Sequence, residues 1–284
     1  MQEITLQALL EAGCHFGHKA ERWHPKAAQF IYTEKDGIHI IDLVKTQAGL
    51  EAAMEYVKSV ATRGDEVLFV GTKRQAQGIV KQEAEAAGAA YLVARWIGGF
   101  LTNWDQIHKN IEKINRLAQE LQSGAWKKFP KHEQSKLARY LERIKVYYGG
   151  VLHLNAVPAA LFVVDIKKEI AAVREGIRRG VPIIAIVDTN SDPTGIDYVI
   201  PANDDAVGSI SYIVQAIAHA FKEGKEHKAK EDEKEAAKKV EPAKASTETS
   251  VAVELKEKPA VVPESKKAKV EEKPKRERKT SAEK

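Results

Sequence analysis

The sequence predicts an α/β protein with a doubly wound parallel sheet. The first observation is a set of short runs of consecutive apolar residues, the clearest being Val67–Val70, Ala160–Val164 and Ile183–Val187. Such runs are typical of strands that are buried on both faces. The second observation is that amphipathic helical patterns separate the runs. This alternation of strands and helices indicates a parallel sheet covered by helices.

The remaining elements of the α/β domain follow from the same reasoning. Asp36-Gly37 is a strong turn signal between the apolar runs Phe30–Tyr32 and Ile38–Ile41, so a β-hairpin is expected ahead of the main sheet. Two further strands are expected at Ala90–Val93 and Tyr198–Ile200. Helical patterns occupy residues 47–62, 74–87, 168–179 and 204–222.

A helical insertion, residues 103–149, interrupts the alternation. The apolar positions follow heptad spacing at Ile107, Ile111, Ile114, Ala118 and Leu121, and again at Leu137, Leu141, Ile144 and Tyr148. Asn103 and Gln106 resemble a capping box at the start of the first helix. Pro130 suits the first turn of the second helix, which Gly149-Gly150 ends. An antiparallel coiled-coil hairpin that protrudes from the α/β domain, residues 1–102 and 150–225, is therefore predicted.

The C-terminal tail, residues 226–284, is expected to be largely disordered. After Phe221 the chain has no aromatic residue, and Lys, Glu, Ala and Pro dominate. Such a segment cannot bury enough apolar surface to offset the entropy lost on ordering. Residues near Lys222–Lys239 can extend the preceding helix, because Glu, Lys and Ala recur there and the first proline is Pro242.

Composition excludes several classes of protein. The 284 residues are 43% hydrophobic and 30% charged, and no apolar run approaches the roughly 18 residues that a membrane span needs. The N-terminal residues do not resemble a signal or transit peptide, so a cytosolic protein is expected. Cys14 is the single cysteine, which excludes an internal disulfide and a four-cysteine zinc site.

The positive charge is concentrated in two segments. Residues 105–149 carry 10 Lys or Arg against 5 Asp or Glu, a net charge of +5. Residues 222–284 carry 19 against 15, a net charge of +4. Because the rest of the chain is acidic on balance, we expect the helical insertion to bind a polyanion. The basic end of the tail is read as mainly solubilising.

The common nucleotide-binding fingerprints are missing, but one loop resembles an anion site. Gly71-Thr72-Lys73-Arg74 lies between an expected strand and an expected helix, which places two cations at a helix N-terminus. The loop could bind a small phosphorylated ligand, contact an RNA phosphate or simply be solvated. No serine, cysteine or lysine lies in a recognisable nucleophile motif, so catalysis has no support.

Two groups of residues invite a metal interpretation. His15 and His18 are three residues apart without a third ligand, and packing at a domain junction explains them better than zinc does. The acidic set Asp188, Asp192, Asp204 and Asp205 is expected near the carboxyl edge of the sheet, where a hard cation such as magnesium could bind. The default interpretation is that Asp188 and Asp192 cap turns and that Asp204 caps a helix.

An aromatic and cationic segment, Arg95–Trp104, precedes the helical insertion. Exposed aromatic rings beside Arg95 could stack on bases, and Gly98-Gly99 would let backbone amides approach phosphates. The alternative is that Trp96, Phe100 and Trp104 wedge the insertion against the sheet, which we expect for at least part of them.

Four long segments occur in the order found in one family. Ala12–His18, Phe69–Arg74, Arg95–Trp104 and Ile186–Pro193 closely resemble bacterial small-subunit ribosomal protein two. The resemblance runs to about residue 225. It implies a structural, non-enzymatic protein with a Rossmann-like domain and a coiled-coil hairpin, located in the cytoplasm between the head and body of the small subunit. It also implies binding to small-subunit ribosomal RNA and to neighbouring small-subunit proteins. One of these is the messenger-binding protein one, which the family helps to dock for translation initiation. The resemblance implies no cofactor, no membrane and no small-molecule substrate.

These considerations give specific candidate residues. The residues expected to contact RNA phosphates are Lys73, Arg74, Arg95, Lys109, Lys113, Arg116, Lys127, Lys128, Lys131, Lys136, Arg139 and Arg143. The candidates for a structural divalent cation are Asp188, Asp204, Asp205 and His24. Two alternatives stay open: an enzyme that handles phosphorylated ligands in the crevice at Gly71–Lys73 and Asp188–Asp192, and a scaffold that docks proteins on the exposed face of the helical insertion.

Overall fold

The structure is a computed structural model that describes residues 4–245, with side chains described as far as residue 231. The strands are β1 Phe16–Lys19, β2 Ile31–Lys35, β3 Ile38–Ile41, β4 Val67–Val70, β5 Ala90–Leu92, β6 Ala160–Val164, β7 Ile183–Val187 and β8 Tyr198–Pro201. The helices are α1 Leu6–Glu11, α2 Leu43–Arg63, α3 Arg74–Ala87, α4 Trp104–Gln122, α5 Lys131–Tyr148, α6 Ile170–Arg179 and α7 Val207–Ala245.

The main sheet has five parallel strands in the order β5-β4-β6-β7-β8. Numbered within the sheet, this order is 2-1-3-4-5, which is a common doubly wound arrangement with its switch point between β4 and β6. The predicted α/β class is confirmed, and β4, β6 and β7 have the predicted bounds. Their continuous burial explains why apolar runs predicted them so well.

Alternate residues of each strand enter two cores on opposite faces of the sheet. Phe69 and Phe162 pack with the buried faces of α2, α3 and α7. Val70 and Val163 pack instead with α6 and with the start of α4. The helical insertion is thereby anchored on the same face of the sheet as α6.

A separate three-stranded antiparallel sheet has the order β1-β3-β2. The predicted β-hairpin forms, and Asp36 and Gly37 both have positive φ values, 53° and 73°, which suits a type I′ turn. Strand β1 was not predicted. Its sequence Phe-Gly-His-Lys contains no apolar run, and its residues are exposed or half-buried, so local periodicity gives no strand signal.

The helical insertion contains the two predicted helices, α4 and α5. They share a small core of Ile114, Trp126 and Leu141. The capping-box prediction is wrong, because the Asn103 side chain makes no capping hydrogen bond and only its backbone oxygen accepts from the first turn. Pro130 is the N-cap residue, one position before the predicted first turn. A coiled-coil supercoil and protrusion of the pair stay predictions.

The chain divides into two units, residues 1–234 and 235–284. Helix α7 continues to Ala245, beyond the helical extension expected near Lys222–Lys239. The rest of the predicted disordered tail, residues 246–284, lies outside the described residues. Within the part of the chain that is described, none of the helices combines the length and the apolarity that crossing a membrane requires.

Candidate functional site

Polar residues that follow four neighbouring strands converge at the carboxyl edge of the main sheet. Lys73 follows β4, Asp165 follows β6, Asp188 follows β7 and Asp204 follows β8. The carboxyl ends of parallel strands meet at one edge, and the switch point of a doubly wound sheet lies between β4 and β6. Together with His18 and Asp205, these residues form what we call the edge cluster.

The ammonium group of Lys73 lies at the centre of the edge cluster. Its Nζ is 2.7 Å from a carboxylate oxygen of Asp204, 2.7 Å from one of Asp205 and 3.2 Å from one of Asp165. Only 12% of the Lys73 side chain is exposed. Burial would lower the pKa of Lys73, but the hydrogen bonds to Asp204 and Asp205 outweigh it and raise the pKa. Lys73 is therefore charged at neutral pH.

The backbone of Asp165 is unusual for a residue with a side chain. Its φ of 68° lies in the left-handed region, which costs free energy outside glycine. In this conformation one carboxylate oxygen accepts a hydrogen bond from the Lys168 amide at 3.0 Å, while the other contacts Lys73. These contacts offset the backbone strain at the switch point.

His18 reaches the edge cluster from β1. Its Nδ1 is 3.1 Å from Asp188, and its Nε2 is 3.3 Å from Asp205. Gly17 allows this approach, because a Cβ at that position would lie 2.7 Å from Cγ2 of Thr189. The close contact with Asp188, aided by the charges of Asp204 and Asp205, raises the pKa of His18 against the effect of burial.

Asp204 has the most strongly perturbed carboxyl group of the edge cluster. Burial, together with the nearby charges of Asp165 and Asp188, raises its pKa to about 7 despite the contact with Lys73. A second buried acid, Glu169, accepts hydrogen bonds from the Thr72 amide and hydroxyl, and burial raises its pKa as well. The carboxyl groups of the edge cluster thus outnumber the positive charges that could neutralise them.

Of the predicted cation ligands, Asp188 and Asp204 come together, and they are joined by His18, which was not in that set. His18, Asp188 and Asp204 each offer one ligand atom, and these atoms lie within 4.8 Å of one another. His24 lies elsewhere, with Nε2 4.0 Å from Asp192, and Asp192 also bonds the Lys26 ammonium at 3.0 Å. His15 does not join His18, and its ring packs against Phe16.

The aromatic segment wraps around a carboxylate of α6. Glu175 accepts hydrogen bonds from the Trp96 indole at 2.9 Å, the Gly99 amide at 2.8 Å and the Leu101 amide at 3.1 Å. Burial opposes ionisation, but these hydrogen bonds lower the pKa of Glu175. Trp96 and Phe100 are buried in the core, so the wedge interpretation holds for them, whereas base stacking does not.

The predicted RNA-contact residues differ in exposure. Lys73 is enclosed by carboxylates, whereas Arg74 and Arg95 are exposed. The remaining predicted cations are all exposed on the helical insertion: Lys109, Lys113, Arg116, Lys127, Lys128, Lys131, Lys136, Arg139 and Arg143. Tyr140 orders two of them, since Lys113 and Arg143 lie 5.3 Å and 5.9 Å from the centre of its ring.

An apolar groove lies beside the small sheet, between α1 and the start of α2. This N-terminal groove has a volume of about 390 Å³. Its exposed side chains include Leu6, Leu10, Tyr32 and Val44, and Tyr32 and Val44 are 75% and 62% exposed. Such a contiguous apolar surface is typical of a site that contacts another protein.

Sequence reasoning missed Asp165, Glu169 and Glu175 as members of these sites. Glu175 lies 79 positions from Trp96, so no local pattern joins them. Asp165 had one usable signal, because it follows the apolar run of β6 directly, as Asp188 follows β7.

Comparison with known proteins identifies the family. The family described as "Ribosomal protein S2" matches residues 9–224. The small ribosomal subunit protein uS2 of Coprothermobacter proteolyticus is 50% identical over 226 residues, 80% of this chain and 84% of that protein. The protein of the same name from Synechococcus is 48% identical over 225 residues, 79% of this chain and 85% of that protein. The chain therefore belongs to the ribosomal protein S2 family.

Proposed function

We propose that this chain is a structural constituent of the small ribosomal subunit in the cytoplasm, and that it binds small-subunit ribosomal RNA between head and body. Membership of a family of ribosomal proteins supports the structural, non-enzymatic role. The single observation that carries RNA binding is the basic surface of the helical insertion, where all nine predicted cations are exposed.

The charge and shape of the helical insertion suit a nucleic-acid backbone. Ile114, Trp126 and Leu141 form its small internal core, while the cations on α4, α5 and the connecting turn are exposed to solvent. Lysine and arginine contacts of this kind position a protein on RNA and release counterions. Arg74 and Arg95 extend the proposed contact onto the α/β domain.

The edge cluster argues against the alternative of a phosphate-handling enzyme. Lys73, the cation that would hold a phosphate there, is surrounded by Asp165, Asp204 and Asp205. These carboxylates would repel an anionic ligand. Asp192, which the enzyme hypothesis placed in the same crevice, contacts His24 and Lys26 instead.

We place the docking of protein one at the N-terminal groove. The groove offers exposed Leu6, Leu10, Tyr32 and Val44, which suit the apolar face of a short helix. One alternative left open by the sequence was a scaffold that docks proteins on the helical insertion, but the exposed cations of that surface suit RNA better. Separate surfaces would let the chain hold RNA and protein one at the same time.

A structural cation is proposed at His18, Asp188 and Asp204. One imidazole and two carboxylates within 4.8 Å of one another suit zinc or a similar transition metal better than magnesium. A cation there would also offset the excess negative charge of the carboxylates around Lys73. Isothermal titration of the chelator-treated chain with zinc, compared with a His18→Asn variant, tests this: equal heats would refute it.

The experiment that tests RNA binding follows the tagged chain through sucrose gradients of bacterial extract. Co-migration with the small subunit at moderate salt, lost at high salt, is expected. A Lys127→Gln, Lys128→Gln and Lys131→Gln triple variant should dissociate at lower salt. A matched Lys35→Gln, Lys81→Gln and Arg63→Gln variant should behave as the wild type. A chain that stays at the top of the gradient in both conditions would refute the proposal.

A further inference from the structure

A second groove lies between α6 and the loop that follows β7. This α6 groove has a volume of about 340 Å³ and is distinct from the edge cluster, the helical insertion and the N-terminal groove. Its aliphatic lining consists of Ile166, Ile170, Val173 and Ile177. Ile166 and Val173 are buried, but Ile170 and Ile177 are 45% and 51% exposed. Two half-exposed isoleucines on one ten-residue helix expose apolar surface that the chain's own core does not use.

The opposite wall is a well-ordered loop. Asp192 accepts hydrogen bonds from the amide and hydroxyl of Thr194, at 3.0 Å and 2.6 Å. Gly195 has a φ of 82°, and a Cβ there would lie 2.6 Å from Cδ1 of Ile177, so the loop closes directly against that isoleucine. The groove is therefore fixed by backbone geometry and side-chain hydrogen bonds, and a ligand would meet it largely preformed.

The two walls of the α6 groove differ in charge. On the loop wall, Asp192 is already neutralised by the Lys26 ammonium at 3.0 Å. On the helix wall, Lys167 and Arg174 are exposed, and neither makes an ion pair with any side chain that the structure describes. The uncompensated charge at the rim is positive, which favours an acidic partner.

We propose that the α6 groove docks a short segment of another protein. The segment would insert an aliphatic or aromatic side chain between Ile170 and Ile177 and pair carboxylates with Lys167 and Arg174. The exposed apolar surface of the groove favours protein over RNA, because Ile170 and Ile177 are aliphatic and offer a base no ring to stack on. The ring of His24 also lines the groove, but its Nδ1 already accepts a hydrogen bond from the Lys26 amide at 3.3 Å. The partner is thus an acidic, amphipathic segment, held by a surface separate from those of the proposed function.

Site-specific cross-linking on assembled small subunits tests this inference. The photoreactive residue p-benzoylphenylalanine replaces Ile177 in the full chain, subunits are purified and irradiated, and nuclease and protease digestion precede mass spectrometry. We expect a cross-link to one protein, within a peptide that has acidic residues on both sides of an apolar one. Adding Lys167→Glu and Arg174→Glu should lower the yield about tenfold, since two ion pairs become repulsions.

Matched variants and a separate readout make the test decisive. Arg178→Glu with Arg179→Glu reverses the same number of exposed charges on α6 outside the groove lining and should leave the yield unchanged. Co-migration of each variant with the small subunit shows separately that the proposed function holds. A cross-link to RNA, a protein cross-link that survives the reversal at Lys167 and Arg174, or no cross-link in subunits that contain the variant would overturn the inference.

Discussion

The Nζ atom of Lys73 lies 2.7 Å from a carboxylate oxygen of Asp204, across the carboxyl edge of the sheet. Lys73 is the N-cap residue of α3, after β4, and Asp204 follows the edge strand β8. The contact therefore joins residues 131 positions apart. This ion pair, with Asp165 and Asp205 around it, makes Lys73 a structural residue of the α/β domain.

Replacing Lys73 with methionine should destabilise the fold. The substitution keeps a long unbranched side chain, one atom shorter, but leaves Asp165, Asp204 and Asp205 without their shared cation. Breaking a buried ion pair costs about 3–5 kcal/mol. Urea unfolding measures the loss. Arg74→Met, on the exposed neighbour, should change the unfolding free energy by less than about 0.5 kcal/mol. Equal stability of the two variants would show that Lys73 is free to serve RNA instead.

The Asp204 carboxyl group should make stability depend on pH. Its pKa is about 7 in the folded chain against an ordinary value of 3.8, so between these values the folded state binds more protons than the unfolded state. The free energy of unfolding therefore falls as pH rises from about 4 to about 7. The pKa of His18 is also raised, so its deprotonation lowers the free energy of unfolding further as pH rises.

An Asp204→Asn variant isolates this contribution. Stability is measured between pH 5 and pH 8 with a chelator present. Over this range the free energy of unfolding should fall on the order of 1–3 kcal/mol more in the wild type than in the variant. Comparing slopes, and not absolute stabilities, removes the constant cost of weakening the Lys73 contact. Parallel pH profiles for the two chains would contradict the assignment of a raised pKa to Asp204.

The Glu175 carboxylate should fix the aromatic segment on α6. Glu175→Ala leaves the Trp96 indole and the amides of Gly99 and Leu101 without their acceptor, and unsatisfied buried donors cost about 1–3 kcal/mol each. We expect the free energy of unfolding, measured with urea, to fall by at least about 2 kcal/mol. Glu142→Ala, on the exposed surface of α5, is the control and should stay within about 0.5 kcal/mol of the wild type.

Substitutions in the N-terminal groove should weaken docking of protein one without affecting RNA. Val44→Asp and Leu10→Asp place charges where an apolar partner would pack, and we expect affinity for purified protein one to fall at least about tenfold after nuclease treatment. Co-migration with the small subunit should persist. Unchanged affinity in both variants would remove the groove as the docking surface.

Sequence patterns predicted the elements that are buried on two faces and missed contacts between distant segments. Apolar runs gave β4, β6 and β7 their correct bounds because burial on both faces leaves a continuous signal. Strand β1 is exposed or half-buried and has no such apolar run, so no sequence signal predicted it. The acidic set Asp188, Asp192, Asp204 and Asp205 was expected near the carboxyl edge because these residues follow predicted strands, and all but Asp192 join the edge cluster.

The side chains that complete the sites depend on tertiary structure. Lys73 was expected to contact a phosphate because it lies at the start of a helix, but its partner carboxylates follow two other strands, β6 and β8. Glu175 lies on an ordinary amphipathic helix, and only the folded chain brings Trp96 to it. Exposure of the cations on α4 and α5, by contrast, follows from the heptad pattern that directs Ile114 and Leu141 into the internal core.

The most direct test of the central claim is the salt dependence of binding between the full chain and small-subunit ribosomal RNA. The slope of log affinity against log salt should become shallower by about 2–3 in the Lys127→Gln, Lys128→Gln and Lys131→Gln variant, since each lost phosphate contact contributes about 0.7–0.9. The Lys35→Gln, Lys81→Gln and Arg63→Gln control should keep the wild-type slope. If the two triple variants have the same slope and affinity, the helical insertion is not the surface that binds RNA.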